Sequence, residues 1–109
     1  MSFTWTIPAR VDRVVDGDSL VCHLRFLPGR ELHGEHVRLA GVNAPELHHK
    51  GGAAAKAFVE ELLPPGSEVT LVASQKEKFG RLLARVQLAD GRDLADLLLA
   101  AGHAGPYTP

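Results

Sequence analysis

A chain of 109 residues and 11.7 kDa is near the usual domain size and long enough for one modest core. Its hydrophobic content of 45% argues against disorder, and twelve basic against thirteen acidic residues leave a formal charge of -1. That balance excludes nucleic-acid binding by global charge, so any grip on phosphate must come from a local cluster. The single Cys22 excludes an intrachain disulfide, and its place in an apolar alternation reads as a buried structural thiol. The N-terminus has no basic segment followed by an apolar stretch, and no run reaches the roughly 18 apolar residues of a membrane span. The expectation is a cytoplasmic, soluble chain with no membrane partner.

The first half reads as strands. Trp5 to Val15 is apolar-rich with Pro8 near its start, where proline fits a strand entry. Asp16-Gly17 supplies hairpin turn chemistry. In residues 20–27, Leu20, Cys22, Leu24 and Phe26 alternate with Val21, His23 and Arg25, and Pro28-Gly29-Arg30 ends the run. A third strand spans about 31–39 and leads into a loop at 41–45. Residues 53–63 change period: Ala54, Phe58 and Leu62, flanked by Ala55 and Val59, make one helical stripe, with Lys56 and Glu60 as an i,i+4 pair. Pro64-Pro65-Gly66 stops that helix.

Strand patterns return at 68–73 and 82–88, the second closed by Asp90-Gly91. A short helix follows from Asp93, with Asp96 placed as the third-position acid of a capping box and Gly102 as its C-terminal glycine. The tail from Gly105 to Pro109 reads as extended and only partly ordered. Five short strands, one helix between the third and fourth and a short C-terminal helix predict a mainly β, α+β domain over 1–109. The architecture that fits best is a five-stranded closed barrel of the OB type, which leaves no sheet edge exposed. An open α+β sheet with both helices on one side is the competing arrangement.

Three runs carry chemistry. Asp16-Gly17-Asp18-Ser19 offers carboxylates on a turn, which read either as solvated turn residues or as hard oxygen ligands for Ca²⁺ or Mg²⁺. In the loop after the third strand, Asn43 offers a neutral oxygen and Glu46 a base able to take a proton from a water, with Pro45 fixing the backbone between them. The plainer reading of that loop is an Asx turn beside a surface glutamate. Arg38 and Arg81 are candidates for bidentate contact with phosphate oxygens, or are solvent-face strand residues. Lysines in the 76–78 run are placed to guide a phosphate backbone inward. The six histidines match no compact zinc spacing, and His48-His49-Lys50 reads as a flexible polar rim beside the site. Together the runs suit metal-assisted hydrolysis of a phosphodiester.

These runs, in order and at suitable intervals, make the chain resemble the thermonuclease, or staphylococcal-nuclease-like, family. The likeness covers Val15 to Leu20, Val37 to Glu46 and Phe79 to Val86, then the late 97–102 helix. It implies an OB-type barrel that cleaves DNA or RNA with Ca²⁺, leaving 3′-phosphate ends. By motif, Asp18 would be a direct Ca²⁺ ligand with Asp16 shaping the site, Arg38 and Arg81 would clamp the scissile phosphate, and Glu46 would be the general base. Asn43 stands where the best-known member has an aspartate ligand, which removes one negative charge and should lower Ca²⁺ affinity. That member also continues into a third helix, whose flank would here be covered by a partner copy, by the Pro-rich tail or by nothing. The expected function is a Ca²⁺-dependent endonuclease of low sequence specificity. The alternative is a catalytically weak barrel that binds nucleic acid or docks a protein, a reading weakened by the few aromatic residues available for stacking.

Overall fold

The computed structural model describes residues 4–76 and 80–107, without the side chains of Gln75 and Lys76. The lysine run at 76–78 and Phe79 of the third motif therefore lie outside the described side chains. Strands β1 (Trp5–Asp16), β2 (Ser19–Leu27) and β3 (Arg30–Leu39) form a meander. A two-residue strand β4 (Val42–Asn43) leads to helix α1 (Gly52–Leu62), and β5 (Glu68–Lys76) and β6 (Leu82–Leu88) form a second hairpin. Helix α2 (Leu94–Ala100) and a two-residue strand β7 (Gly105–Pro106) complete the described elements.

The five long strands close into a barrel in the order β1-β2-β3-β6-β5. The long β1 makes closure possible, because Trp5 to Arg10 pair with β5 while Ala9 to Asp16 pair with β2. Register shifts after Val11 and Val14 bend it from one neighbour to the other. The last seam is parallel and short, with Val37, Arg38 and Leu39 opposite Leu82, Leu83 and Ala84. This is the closed OB-type arrangement, not the open sheet. Its core is filled by inward residues from every barrel strand, among them Val11, Cys22, Leu39, Leu71 and Val86, with Val59 of α1 and Leu94 and Leu98 of α2.

Two expectations about faces are corrected. Phe26 does not continue the buried alternation of β2: it is 57% exposed, whereas Val21, assigned to the outer face, is buried. The β2–β3 hairpin runs past the three-residue seam with β6, so its far end has no opposing layer. On α1 the buried stripe is Gly52, Ala55 and Val59, with Phe58 and Leu62 partly covered and Ala54 exposed. The helix is thus rotated by about one position from the predicted stripe, a turn of roughly 100°. It packs against β1 with its small residues toward the barrel.

Helix α2 follows its sequence signals. The Asp93 side chain accepts from the Asp96 N–H, capping the first turn. At the other end Gly102 takes φ 76°, and the N–H groups of Gly102 and His103 return to Leu99 and Leu98. That is a Schellman closure, and its left-handed residue favours glycine.

Candidate active site

The turn between β1 and β2 carries the two carboxylates. Gly17 is needed there for space and not for a positive φ: a Cβ would lie 2.8 Å from the Ala55 methyl and 3.0 Å from that of Ala44. The turn is therefore pressed between α1 and the loop after β4. Asp18 is buried. Its Oδ2 accepts from the Ala44 N–H at 2.9 Å, and its Oδ1 accepts from the Ser19 hydroxyl at 3.2 Å. Asp16 accepts from the Leu47 N–H through Oδ1 at 3.0 Å. Each aspartate thus uses one oxygen to fix the 44–47 loop, and Oδ2 of Asp16 enters no hydrogen bond among the described residues. The donor set is a pair of carboxylates on one rigid turn, chemistry that suits a hard cation.

Arg38 lies on β3 beside this turn, since Ser19 pairs with Arg38 in the β2–β3 ladder. Its Nη1 donates to the carbonyls of Leu39 and Val42 at 2.8 and 2.9 Å, and Nη2 donates to Oδ1 of Asn43 at 3.2 Å. Nη1 also stands 3.5 Å from Oδ2 of Asp18, with both side chains only about a tenth exposed. The guanidinium therefore offsets the buried carboxylate while holding the β3–β4 turn, a structural duty that its reading as a phosphate clamp leaves out. Asn43, a candidate metal ligand, spends its amide oxygen on Arg38 in this structure.

The C-terminal tail supplies a further element. Residues Gly105 and Pro106 form β7, paired with Asn43 and Val42, and the Tyr107 N–H donates to Gly41. The Tyr107 ring lies 5.7 Å from the Arg38 guanidinium carbon, within cation–π range. Sequence reasoning missed Tyr107. The available signal was a lone aromatic after a glycine-proline pair near the end of the last helix.

Glu46 heads the loop into α1, and its carbonyl is fixed from two sides. It accepts from the His49 N–H at 2.9 Å, and it sits so close to Gly52 that a Cβ there would be 1.8 Å from its oxygen. Its exposed carboxylate is 3.4 Å from Nε2 of His48. Arg81 follows Gly80, whose φ of 87° turns the chain into β6. It precedes Leu82, the partner of Val37, so the parallel seam brings Arg81 to the strand that carries Arg38.

Residues 36–108 match the family model described as staphylococcal nuclease homologue. The chain belongs to this family. As a staphylococcal nuclease homologue it is also similar to two kinds of curated protein. One is Endonuclease YhcR of Bacillus subtilis strain 168, at 33% identity over 110 residues. That match covers 89% of this chain and 9% of the Bacillus protein, so this chain corresponds to a small part of it. Proteins named uncharacterized endonuclease from Escherichia coli and its O157:H7 strain are 29% identical over 110 residues, covering 96% of this chain and 67% of theirs. The staphylococcal nuclease fold accounts for the barrel, and the candidate residues occupy the β1–β2 turn, the end of β3, β4 and the loop after it, and the residue before β6.

Proposed function

We propose that the chain hydrolyses phosphodiester bonds of DNA or RNA as a Ca²⁺-dependent endonuclease. Family membership and endonuclease-named relatives support a nuclease-family function. The observation that carries the finer reading is the convergence of Asp16, Asp18, Arg38 and Glu46 around one turn and one loop, tied by the bonds from Ala44 and Leu47.

Asp18 and Asp16 would hold the cation, which polarises a phosphoryl oxygen and lowers the pKa of a nearby water. Asn43 would join them by turning its amide oxygen from Arg38. Arg38 is anchored through Nη1, and once Asn43 turns away its Nη2 would be freed for phosphate, a contact preorganised by the β3–β4 carbonyls. Arg81, the residue before β6, would contact the same phosphate. Glu46, on an exposed loop with a fixed backbone, accepts the proton of the attacking water as that water's oxygen bonds to phosphorus. The P–O5′ bond breaks, and the departing 5′-oxygen takes a proton from solvent.

The test is cleavage of fluorescent single-stranded DNA and RNA in Ca²⁺ and in excess chelator. Loss of a general base costs about 10²–10⁴-fold, so Glu46→Ala should lose activity within that range while keeping its fold. Arg81→Ala should also lose most of the rate. Full turnover by either folded variant refutes its assigned role.

One observation favours the second reading, a binding barrel with weak catalysis. Trp5 and Phe26 are 56% and 57% exposed and line one groove with Leu32. Tight binding of single-stranded DNA in chelator, without cleavage in Ca²⁺, would select that reading.

A further inference from the structure

Beside the carboxylate turn is a second group of metal-binding atoms of different chemistry. One ligand atom from each of Glu46, His48 and His49 lies within 4.8 Å of the others. Oε2 of Glu46 and Nε2 of His48 are 3.4 Å apart, and the two imidazole centroids are 4.4 Å apart. A direct charge-assisted hydrogen bond would close to about 2.7–2.9 Å. Two ligands on one tetrahedral zinc, each at about 2.0–2.1 Å, are separated by about 3.3 Å. The observed gap lies within ion-pair range and is also close to that metal bite, so the two atoms need little movement to share a metal.

The backbone beneath these groups is fixed. Successive turns run from His49 N–H to Glu46 and from Gly52 N–H to His49, each at 2.9 Å, and Leu47 N–H is held by Asp16. All three side chains are exposed, so they can close the remaining distances without disturbing the core. The histidine spacings match no zinc pattern over the whole chain. Within this loop, however, a carboxylate and two imidazoles stand at i, i+2 and i+3.

We propose that Glu46, His48 and His49 form a site for a zinc-like divalent transition metal, and that filling it withdraws Glu46 from catalysis. Imidazole nitrogen selects zinc and its neighbours over Ca²⁺, which takes oxygen ligands, so the two adjacent sites discriminate by ligand type. Three protein ligands leave a fourth position for water. Zinc would therefore act as a brake on the endonuclease without displacing the cation at Asp16 and Asp18. The brake, though not the metal site, rests on the role assigned to Glu46 above.

The experiment titrates ZnCl₂ into calcium-free protein by calorimetry, following the histidine ring resonances by NMR, for the wild type and for His48→Ala/His49→Ala. Losing an outer-shell partner costs metal affinity about 10–100-fold, and losing two direct ligands should cost at least that. The wild type is expected to take up one equivalent with shifts of His48 and His49. Equal zinc affinity in both proteins, or shifts confined to other histidines, would overturn the site.

A second arm measures cleavage at saturating Ca²⁺ with graded ZnCl₂. The double variant should keep wild-type cleavage without zinc, and its inhibition should move to higher zinc by the same factor as binding. Identical inhibition of both proteins would place zinc elsewhere and overturn the brake. A wild type that binds zinc through these histidines but cleaves nothing would overturn the endonuclease reading and the brake, and leave the metal site standing.

Discussion

Gly52→Ala separates two opposed effects at the first residue of α1. On helix propensity alone, alanine should stabilise by up to about 1 kcal/mol. The structure reverses that sign. The new Cβ would lie 1.8 Å from the Glu46 oxygen, 2.5 Å from its carbonyl carbon and 2.9 Å from Cα of Leu47. Every one of these atoms is backbone, so no side-chain rotation relieves the contact. An ordinary carbon–oxygen contact needs roughly 3.3 Å, and the helix or the Glu46 loop must move by about 1.5 Å. Overpacking on this scale costs about 1–3 kcal/mol, which in a domain of this size lowers Tm by roughly 5–20 °C.

The displacement also falls on the loop that carries the proposed base. A misplacement of about 1 Å can cost 10²-fold in rate, so cleavage measured well below Tm should fall further than stability suggests. Thermal unfolding by circular dichroism, paired with cleavage at 25 °C, tests both. A Gly52→Ala protein as stable as the wild type, cleaving at its rate, would refute the argument.

Burial pushes the Cys22 thiol up to about 12, so a disulfide-exchange reagent at pH 8 should label it only after urea unfolding. Rapid labelling of native protein would show that the barrel opens. Hydrogen bonds from Arg10 to Glu31 and from Arg13 to Asp12 hold both carboxyls below their ordinary values of 4.5 and 3.8. Their stabilisation is complete above those values and is lost as the pH falls through the lower folded ones. Glu31→Gln should therefore flatten the acid limb of a stability–pH curve, and parallel curves would contradict it. Leu98→Ala, at a fully buried position of α2, should cost about 2–5 kcal/mol in urea unfolding, with the more exposed Leu99→Ala costing much less. Tyr107→Ala removes a cation–π contact worth about 0.5–1 kcal/mol. It should weaken substrate affinity several-fold in steady-state kinetics, and an unchanged KM would detach the tail from the site.

Local signals determined the elements. Strand alternation, glycine and proline punctuation and the Asp93-to-Gly102 capping pattern act within a few residues, and the sequence alone carries them. The same is true of the three motif runs, whose order brought out the family and the candidates Asp16, Asp18, Arg38, Asn43, Glu46 and Arg81. Long-range contacts decided the rest. Which face of α1 is buried depended on the close packing of Gly17 against Ala55, and the exposure of Phe26 on how far β2 runs beyond the β3–β6 seam.

Arg38 showed its second duty only once folding brought the carbonyls of Leu39 and Val42 to its guanidinium. The tail was legible as extended chain but not as a strand laid on β4, because its partner is about 60 residues away. The meeting of Glu46 with His48 and His49 required a loop cinched by Asp16 and Gly52. Sequence periodicity reports how a residue relates to its near neighbours. Closing a barrel sets distances between residues that the chain keeps far apart.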